Sequence, residues 1–209
     1  MARRTELVDA IRDKIITGAF QPGMSVPEEA LAAEFKVSRS PVREALIMLE
    51  GRALVSTETN RGFRVSSVSV EAIRNYFVAA KSILPVVAAL SAQHASEDDF
   101  ASLARPDPPD AEPKASILRH FRYIQIMSRC SRNAFLASSA EMAEGYHCFV
   151  RSSVMKNVSR AVAEAAAKDL EMHEANVTHA LKQGPGPTLD DAVEQMIEGS
   201  RVFLISHLV

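Results

Sequence analysis

The sequence predicts a mostly α-helical protein, with three helices and a β-hairpin at the amino end followed by an all-α antiparallel helical bundle. Three observations lead to this fold class. Apolar residues recur at helical spacing over about the first fifty residues, β-prone residues replace them after Gly51, and long helical patterns return after Ser69. We therefore divide the chain into residues 1–67 and residues 68–209.

Length and charge limit what the chain can do. With 209 residues and 47% hydrophobic content, it can bury one or two cores and is not wholly disordered. The net charge is −2, and residues 1–70 hold ten Lys/Arg against nine Asp/Glu, so any nucleic-acid binding must depend on local arginines. Cys130 and Cys148 lack metal-type spacing, and we predict no disulfide.

The apolar runs are shorter than the eighteen or so residues that a membrane span needs. The first residues lead into an amphipathic pattern rather than a signal-peptide core. We therefore expect a soluble, cytoplasmic protein.

Residues 6–17 form the first predicted helix, which Gly18 ends. Residues 21–24 read as a tight turn, and a second short helix begins at Pro27 and ends near Lys36.

The third helix begins at Pro41, whose fixed φ and missing N–H suit a first helical turn, with Ser40 as its cap. It runs to about Arg52. Its apolar face holds it on the domain, while Arg39, Ser40 and Arg43 lie near its amino end on the other side. Guanidinium groups match both phosphate oxygens and guanine O6/N7, so this end of the helix is suited to a DNA groove. Arginines at such a position are also common as plain solvated charge.

Two short β-prone runs, residues 54–57 and 63–65, flank Asn60, Arg61 and Gly62 and predict a hairpin. With the preceding helix-turn-helix this hairpin would be a wing. Arg61 at its tip could enter a minor groove, and Gly62 would allow close backbone approach to a phosphate. An ordinary hairpin with a solvent arginine is the alternative.

Together these stretches resemble the winged helix-turn-helix of the GntR family of bacterial transcription regulators over about residues 5–66. The motifs that carry the resemblance are GAFQPG at 18–23, LAAEF at 31–35, VSRSPVREAL at 37–46 and NRGFRV at 60–65. The resemblance implies DNA contacts from six residues, namely Arg39, Ser40, Arg43, Asn60, Arg61 and Gly62. It also implies a double-stranded, pseudo-palindromic operator read by a homodimer. Some relatives carry a basic residue where this chain has Glu28 and Glu29, so we carry over no contact from that segment.

In the second part, a helix of about 24 residues follows Ser69, with a kink or break expected beside Leu84 because of Pro85. Residues 105–113 are too rich in proline for a helix. Further helices are predicted over residues 114–130, 133–155 and 158–182, and a last one follows residue 187. For that last helix, Thr188 and Asp191 suggest a capping box.

Three histidines, His120, His147 and His173, fall on the apolar faces of three different predicted helices. If they converged, they could bind an effector directly or hold a divalent metal that binds a carboxylate effector. Buried histidines that are simply hydrogen-bonded in the core are the alternative.

This second part resembles the effector-binding and dimerisation domain of the FadR-like (FCD) branch of the same family, in which many members bind a metal through one aspartate and three histidines. Here the aspartate position is His120 and the next histidine position is Ile124. The third is His173 or Glu174, and the last falls at residues 198–200. Because these residues depart from the pattern, the cofactor stays unknown and no metal is assigned.

These features favour a sequence-specific DNA-binding transcription regulator, acting as a repressor, that is controlled by a small metabolite, an organic acid, bound in the helical bundle. It is not expected to be an enzyme. Two alternatives stay open: a metal-dependent helical-bundle hydrolase with an attached DNA-binding module, and an architectural DNA binder that responds to no effector.

Overall fold

The computed structural model describes residues 2–58, 61–105 and 112–208, with side chains from residue 5 onward. Helices and a hairpin follow one another in the predicted order. The elements are α1 (Ala2–Ile16), α2 (Glu28–Glu34), α3 (Arg39–Glu50), β1 (Val55–Glu58), β2 (Gly62–Val65), α4 (Val70–His94), α5 (Glu97–Leu103), α6 (Ala115–Cys130), α7 (Ala134–Met155), α8 (Arg160–Gln183) and α9 (Pro187–His207).

The helix-turn-helix is formed by α2 and α3, which pack against each other and, through α3, against α1. Helix α2 ends earlier than predicted because Lys36 takes a left-handed conformation, with φ of 54°, and the chain turns there. The prediction that Ser40 caps α3 is wrong. The extended residue before the helix is Ser38, with ψ of 170°, so Ser40 and Pro41 both lie in the first turn.

The wing is an antiparallel hairpin in which Val55 pairs with Val65 and Glu58 with Gly62. Phe63 and Val65 on β2 point into the core, and buried residues alternate with less buried ones along this strand. The hairpin therefore packs one face on the helices, and Arg61, at the start of the return to β2, is exposed.

Helices α4 to α9 form the bundle. The hydroxyl of Ser69 caps α4 by accepting a hydrogen bond from the N–H of Ala72 at 3.1 Å, as predicted. Of the kink or break expected beside Leu84, the break is not found, because α4 runs on through Pro85. Burial of Leu84 and the next turn of α4 offsets the single hydrogen bond that the proline removes.

Two helix starts in the bundle differ from expectation. The short helix α5 was not predicted, and it begins at a reciprocal capping box between Ser96 and Asp99. The capping box predicted at Thr188 is wrong, since α9 already begins at Pro187 after Gly186 and has no side-chain cap. Proline at the first helical position needs no donor, so it starts the helix without one.

Within the described residues, α4 is the helix whose length and composition would suit a membrane span, with a mean hydropathy of 1.4 over 18 residues. The finding is weak evidence for a membrane, since core helices pass the same test.

The amino-terminal elements pack directly on the bundle. The guanidinium of Arg12 on α1 lies 4.6 Å from the centre of the Phe121 ring on α6, and Lys156 at the end of α7 donates a hydrogen bond to the carbonyl of Gly18. A β-carbon at Gly145 on α7 would lie 3.9 Å from Leu54. The division at residues 67 and 68 stays a prediction, because one continuous apolar core crosses it.

Candidate nucleic-acid interface and buried histidine cluster

Helix α3 divides into the two predicted faces. Its inward residues are fully buried, and they are Val42, Ala45, Leu46 and Leu49. At the amino end, the side chains of Arg39 and Arg43 are 59% and 50% exposed, and Ser40 is exposed too. The helix is thus held by its apolar stripe and presents its polar end to solvent.

Both arginines form ion pairs with the start of α2. Arg39 Nη1 lies 2.9 Å from Glu29 Oε1, with that glutamate 80% exposed. Arg43 Nη1 lies 3.0 and 3.1 Å from the two carboxylate oxygens of Glu28, whose side chain is only 8% exposed. The segment from which we carried over no DNA contact therefore touches both predicted reading residues.

The wing lies beside the same arginine. The guanidinium carbon of Arg43 is 5.5 Å from the centre of the Phe63 ring on β2. Gly62 has φ of +78°, a conformation that favours glycine, and a β-carbon there would lie 2.8 Å from Glu28 Oε1 and displace that carboxylate. Arg61 is exposed at the hairpin tip, as predicted, while Asn60 lies outside the described residues.

The arginine Arg64 on β2 serves the wing itself. Its guanidinium contacts the Glu58 carboxylate at 2.5 and 3.1 Å and donates to the carbonyl of Gly23. The hydrogen bond from Arg64 lowers the pKa of Glu58, although burial opposes the shift. Arg64 therefore stiffens the hairpin rather than extending from it.

In the bundle, two of the three predicted histidines meet at one carboxylate. His120 Nε2 on α6 lies 2.9 Å from Glu144 Oε1 on α7, and His147 Nδ1 contacts the same oxygen. Tyr76 on α4 places its hydroxyl 3.2 Å from Glu144 Oε2 and stacks on the His147 ring with centroids 4.9 Å apart. All four residues are buried.

A second carboxylate completes the cluster from α8. Glu174 Oε1 lies 2.9 Å from His120 Nδ1, and its Oε2 lies 3.0 Å from Arg119 Nε. The histidine His173 does not join them. Its Nε2 lies 3.6 Å from Asp169, on the side of α8 where Gly199 of α9 packs.

These contacts set the charges. Burial lowers the pKa of His120, but the charges and hydrogen bonds of Glu144 and Glu174 outweigh it and raise the pKa from 6.5 to about 9. Burial would raise the pKa of Glu144, but the two histidines bring it well below its usual value. Burial lowers the pKa of His147, against the pull of Glu144. The cluster at neutral pH is thus a His120 cation between two carboxylates, with His147 neutral.

A metal ion fits this arrangement poorly. Ligand atoms of His120, Glu144 and His147 do lie within 4.8 Å of one another. A metal needs neutral imidazole nitrogens, however, whereas carboxylates face both ring nitrogens of His120 and favour its protonated form. The donor set therefore suits a proton better than a divalent cation.

Sequence reasoning missed Glu144 as a partner of the histidines. A signal for it was present, because Glu144 lies three residues before His147 and four after Ala140, on the same apolar helix face. A charged residue on a buried face needs a partner, and the predicted inward histidines were available.

Comparison with known proteins supports the winged domain. Residues 3–65 match the family model described as bacterial regulatory proteins, gntR family. An HTH-type transcriptional regulator of Bacillus subtilis (strain 168), YdhC, is 27% identical over 100 residues, which are 48% of this chain and 45% of the relative. The HTH-type transcriptional repressor RspR of Escherichia coli (strain K12) is 35% identical over 65 residues, 31% of this chain and 28% of the relative.

Solved structures match over nearly the whole chain. The fold of E. coli McbR/YncC aligns with a TM-score of 0.78 and 15% identity, covering 99% of this chain and 98% of that one. A GntR transcriptional regulator from Rhodococcus sp. RHA1 aligns with a TM-score of 0.67 and 18% identity, covering 99% of both. At these identities the structural likeness shows the fold, a winged helix-turn-helix followed by a helical domain.

The sequence matches are confined to one part of each protein, since this chain spans less than half the length of the curated relatives named above. The family match and the observed α1–α3 and wing geometry agree over the same residues. Residues 3–65 are therefore similar to the gntR family of bacterial regulatory proteins, and the structure folds them as a winged helix-turn-helix.

Proposed function

We propose that this protein is a sequence-specific DNA-binding regulator that reads a pseudo-palindromic operator as a homodimer. Helix α3 enters the major groove with Arg39, Ser40 and Arg43, and the wing reaches the adjacent minor groove with Arg61. Gly62, and Asn60 beside it, would bring the wing backbone to a phosphate. The observation that carries this proposal is the exposure of Arg39 and Arg43 next to the wing strand that bears Phe63.

The change Arg43→Ala tests the reading role. A bidentate arginine–guanine pair discriminates by about 1–3 kcal/mol, so the substitution should reduce discrimination roughly 5- to 150-fold. The assay is a fluorescence-anisotropy titration of a duplex selected from a random library by the unaltered protein, against a scrambled duplex. Arg160→Ala is the matched control, because Arg160 is an exposed arginine on α8 with a local Glu164 partner. Unchanged discrimination in Arg43→Ala would refute the assignment.

The homodimer rests on an apolar face formed by α4 and α9. Only 39% of the most apolar window of α4 is buried within one chain. Large apolar side chains stand out from the two helices, with exposures of 71% at Val70, 65% at Val78, 53% at Val202 and 52% at Ile205. A second copy of the chain would cover this face and set the spacing of the two reading helices. Val78→Asp places a charge on this face and should prevent dimer formation, so light scattering of the variant should give the mass of a monomer.

We further propose that an organic acid controls the protein through the bundle. A groove lined by Arg105, Arg119 and Lys182 opens between α5, α6 and α8, and its wall includes Glu174. Arg105 and Lys182 offer a carboxylate its counter-charge, while Arg119 pairs with Glu174, and Glu174 links the groove to His120 and, through Glu144, to His147. The acid therefore binds beside the histidine cluster, and His173 stands apart from it.

We favour repression as the sign of control, because the similar protein RspR is named a transcriptional repressor. The matched relatives are transcription regulators and not enzymes, so the hydrolase alternative has no support from them. A regulator of this kind works in the bacterial cytoplasm. Thermal shift against a panel of organic acids, with and without a chelator, tests effector binding. A higher unfolding temperature with one acid supports control by that acid. If no acid in the panel changes the unfolding temperature, the architectural DNA binder is favoured instead.

A further inference from the structure

The buried glutamate at the start of α2 lies beside both parts of the proposed reading surface. Glu28 pairs with Arg43 of α3, and its Oε1 lies near the wing at Gly62, 2.8 Å from where a β-carbon would be. Its side chain is 8% exposed, whereas that of its neighbour Glu29 is 80% exposed. Ion pairs between exposed groups restrain little, so the Glu29–Arg39 pair is a weak restraint and the Glu28–Arg43 pair a stronger one.

The geometry of the pair leaves Arg43 able to read DNA. Both carboxylate oxygens of Glu28 accept from Nη1 alone, at 3.0 and 3.1 Å. A guanidinium carries five N–H donors, so Nε and Nη2 still present a fork to an acceptor pair such as guanine O6 and N7. The Phe63 ring, 5.5 Å from the guanidinium carbon, bounds its other side. The side chain is thus oriented before DNA arrives.

We propose that Glu28 is a positioning residue for sequence readout, which fixes the guanidinium of Arg43 between α2 and the wing. This inference rests on the proposed DNA-reading function and goes beyond it. Fixing a long side chain removes the rotamer freedom that would otherwise let it follow any phosphate. The negative charge of Glu28 also opposes loose binding to the DNA backbone, and such opposition raises specificity more than affinity.

The test compares Glu28→Gln with Glu34→Gln in the full-length protein. Glu34 lies on the same helix but pairs with Lys14 of α1, at 2.8 Å, and so controls for loss of a glutamate on α2. Dissociation constants are measured at one fixed salt concentration for the selected duplex and the scrambled duplex. We expect the ratio of the two constants to fall about tenfold in Glu28→Gln and to stay unchanged in Glu34→Gln.

A double-mutant cycle separates positioning from a general structural role. If Glu28 acts through Arg43, then Glu28→Gln should change the ratio less than about twofold when Arg43 is already alanine. If Glu28→Gln lowers the ratio of dissociation constants equally in the Arg43→Ala protein, the inference is overturned. A ratio in Glu28→Gln alone that stays within about twofold of the unaltered protein would overturn it too. If Glu28→Gln does not fold, Glu28→Asp serves as the second variant, because it keeps the charge but moves the carboxylate back by one methylene. We expect it also to lower the ratio of the two dissociation constants.

The outcomes also distinguish this inference from the proposed function. If Arg43→Ala loses discrimination and Glu28→Gln keeps it, only the positioning role fails. If library selection enriches no duplex, or Arg43→Ala keeps full discrimination, the DNA-reading assignment itself fails.

Discussion

Raising the pH should destabilise the fold through His120. This residue is buried and held between Glu144 and Glu174, and its pKa in the folded protein is about 9. In the unfolded chain the pKa returns to about 6.5. Between these values the folded state holds a proton that the unfolded state has released, so the free energy of unfolding falls as the pH rises.

The size of the effect follows from the shift. The pKa moves from 6.5 to about 9 on folding, and one pKa unit corresponds to about 1.4 kcal/mol. His120 therefore contributes roughly 3 kcal/mol that is fully present below pH 6.5 and is lost by about pH 9. That is a large fraction of the 5–15 kcal/mol typical of a folded domain.

The low-pH side has the opposite sign. The pKa of Glu144 is lowered on folding, so its contribution is present above its ordinary value of 4.5 and is lost as the pH falls. His147, whose pKa is lowered as well, also favours the unfolded state as the pH drops below 6.5. Stability should therefore be greatest near pH 6 to 7.

Urea denaturation at pH 6.5, 7.5, 8.5 and 9.5 measures the trend, and a histidine-ring NMR titration assigns it. The chain has six histidines, and His120 should be the one that titrates near 9. A free energy of unfolding that stays level from pH 6.5 to 9 would refute the reasoning, and so would a His120 ring that titrates near 6.5.

Two further predictions concern the wing and the helix packing. Arg61→Ala should weaken operator binding less than Arg43→Ala does, because a minor-groove contact reads shape rather than base identity, and anisotropy titrations of the two variants measure the difference. A β-carbon at Gly199 would lie 2.7 Å from His173 Nε2, whereas one at Gly145 would meet Phe121 at an ordinary 3.7 Å. Gly199→Ala should therefore lower stability by about 1–3 kcal/mol in thermal unfolding, while Gly145→Ala should be neutral or slightly stabilising, and equal losses in the two would contradict this packing.

Local patterns predicted most of the elements because their causes are local. The β-prone run through Phe63 and the helical stripe through Leu46 each predicted one buried face, and proline at position 41 marks a first helical turn. The start of α3 was predicted two residues too late, because Ser38 and Ser40 are both suitable cap residues and the structure has Ser38 before the helix.

The site was predicted in part for a related reason. Apolar spacing placed His120 and His147 inward correctly, but spacing within one helix does not say which inward residues of different helices meet. The relative rotation of α6, α7 and α8 decides that His120 and His147 meet at Glu144. It also decides that Glu174, and not His173, joins them from α8. Similarly, the pairing of Glu28 with Arg43 joins residues fifteen apart across a turn.

Helix α1 packs against α3 of the winged helix-turn-helix and against α6 and α7 of the bundle. The stacking of Arg12 on Phe121 and the hydrogen bond from Lys156 to the carbonyl of Gly18 join the winged helix-turn-helix to the bundle through side-chain contacts. A ligand that tilts α7 must therefore either move the winged helix-turn-helix with it or break these contacts. In the proposed homodimer, the distance between the two winged helix-turn-helix units would then change through rotation of one whole copy relative to the other.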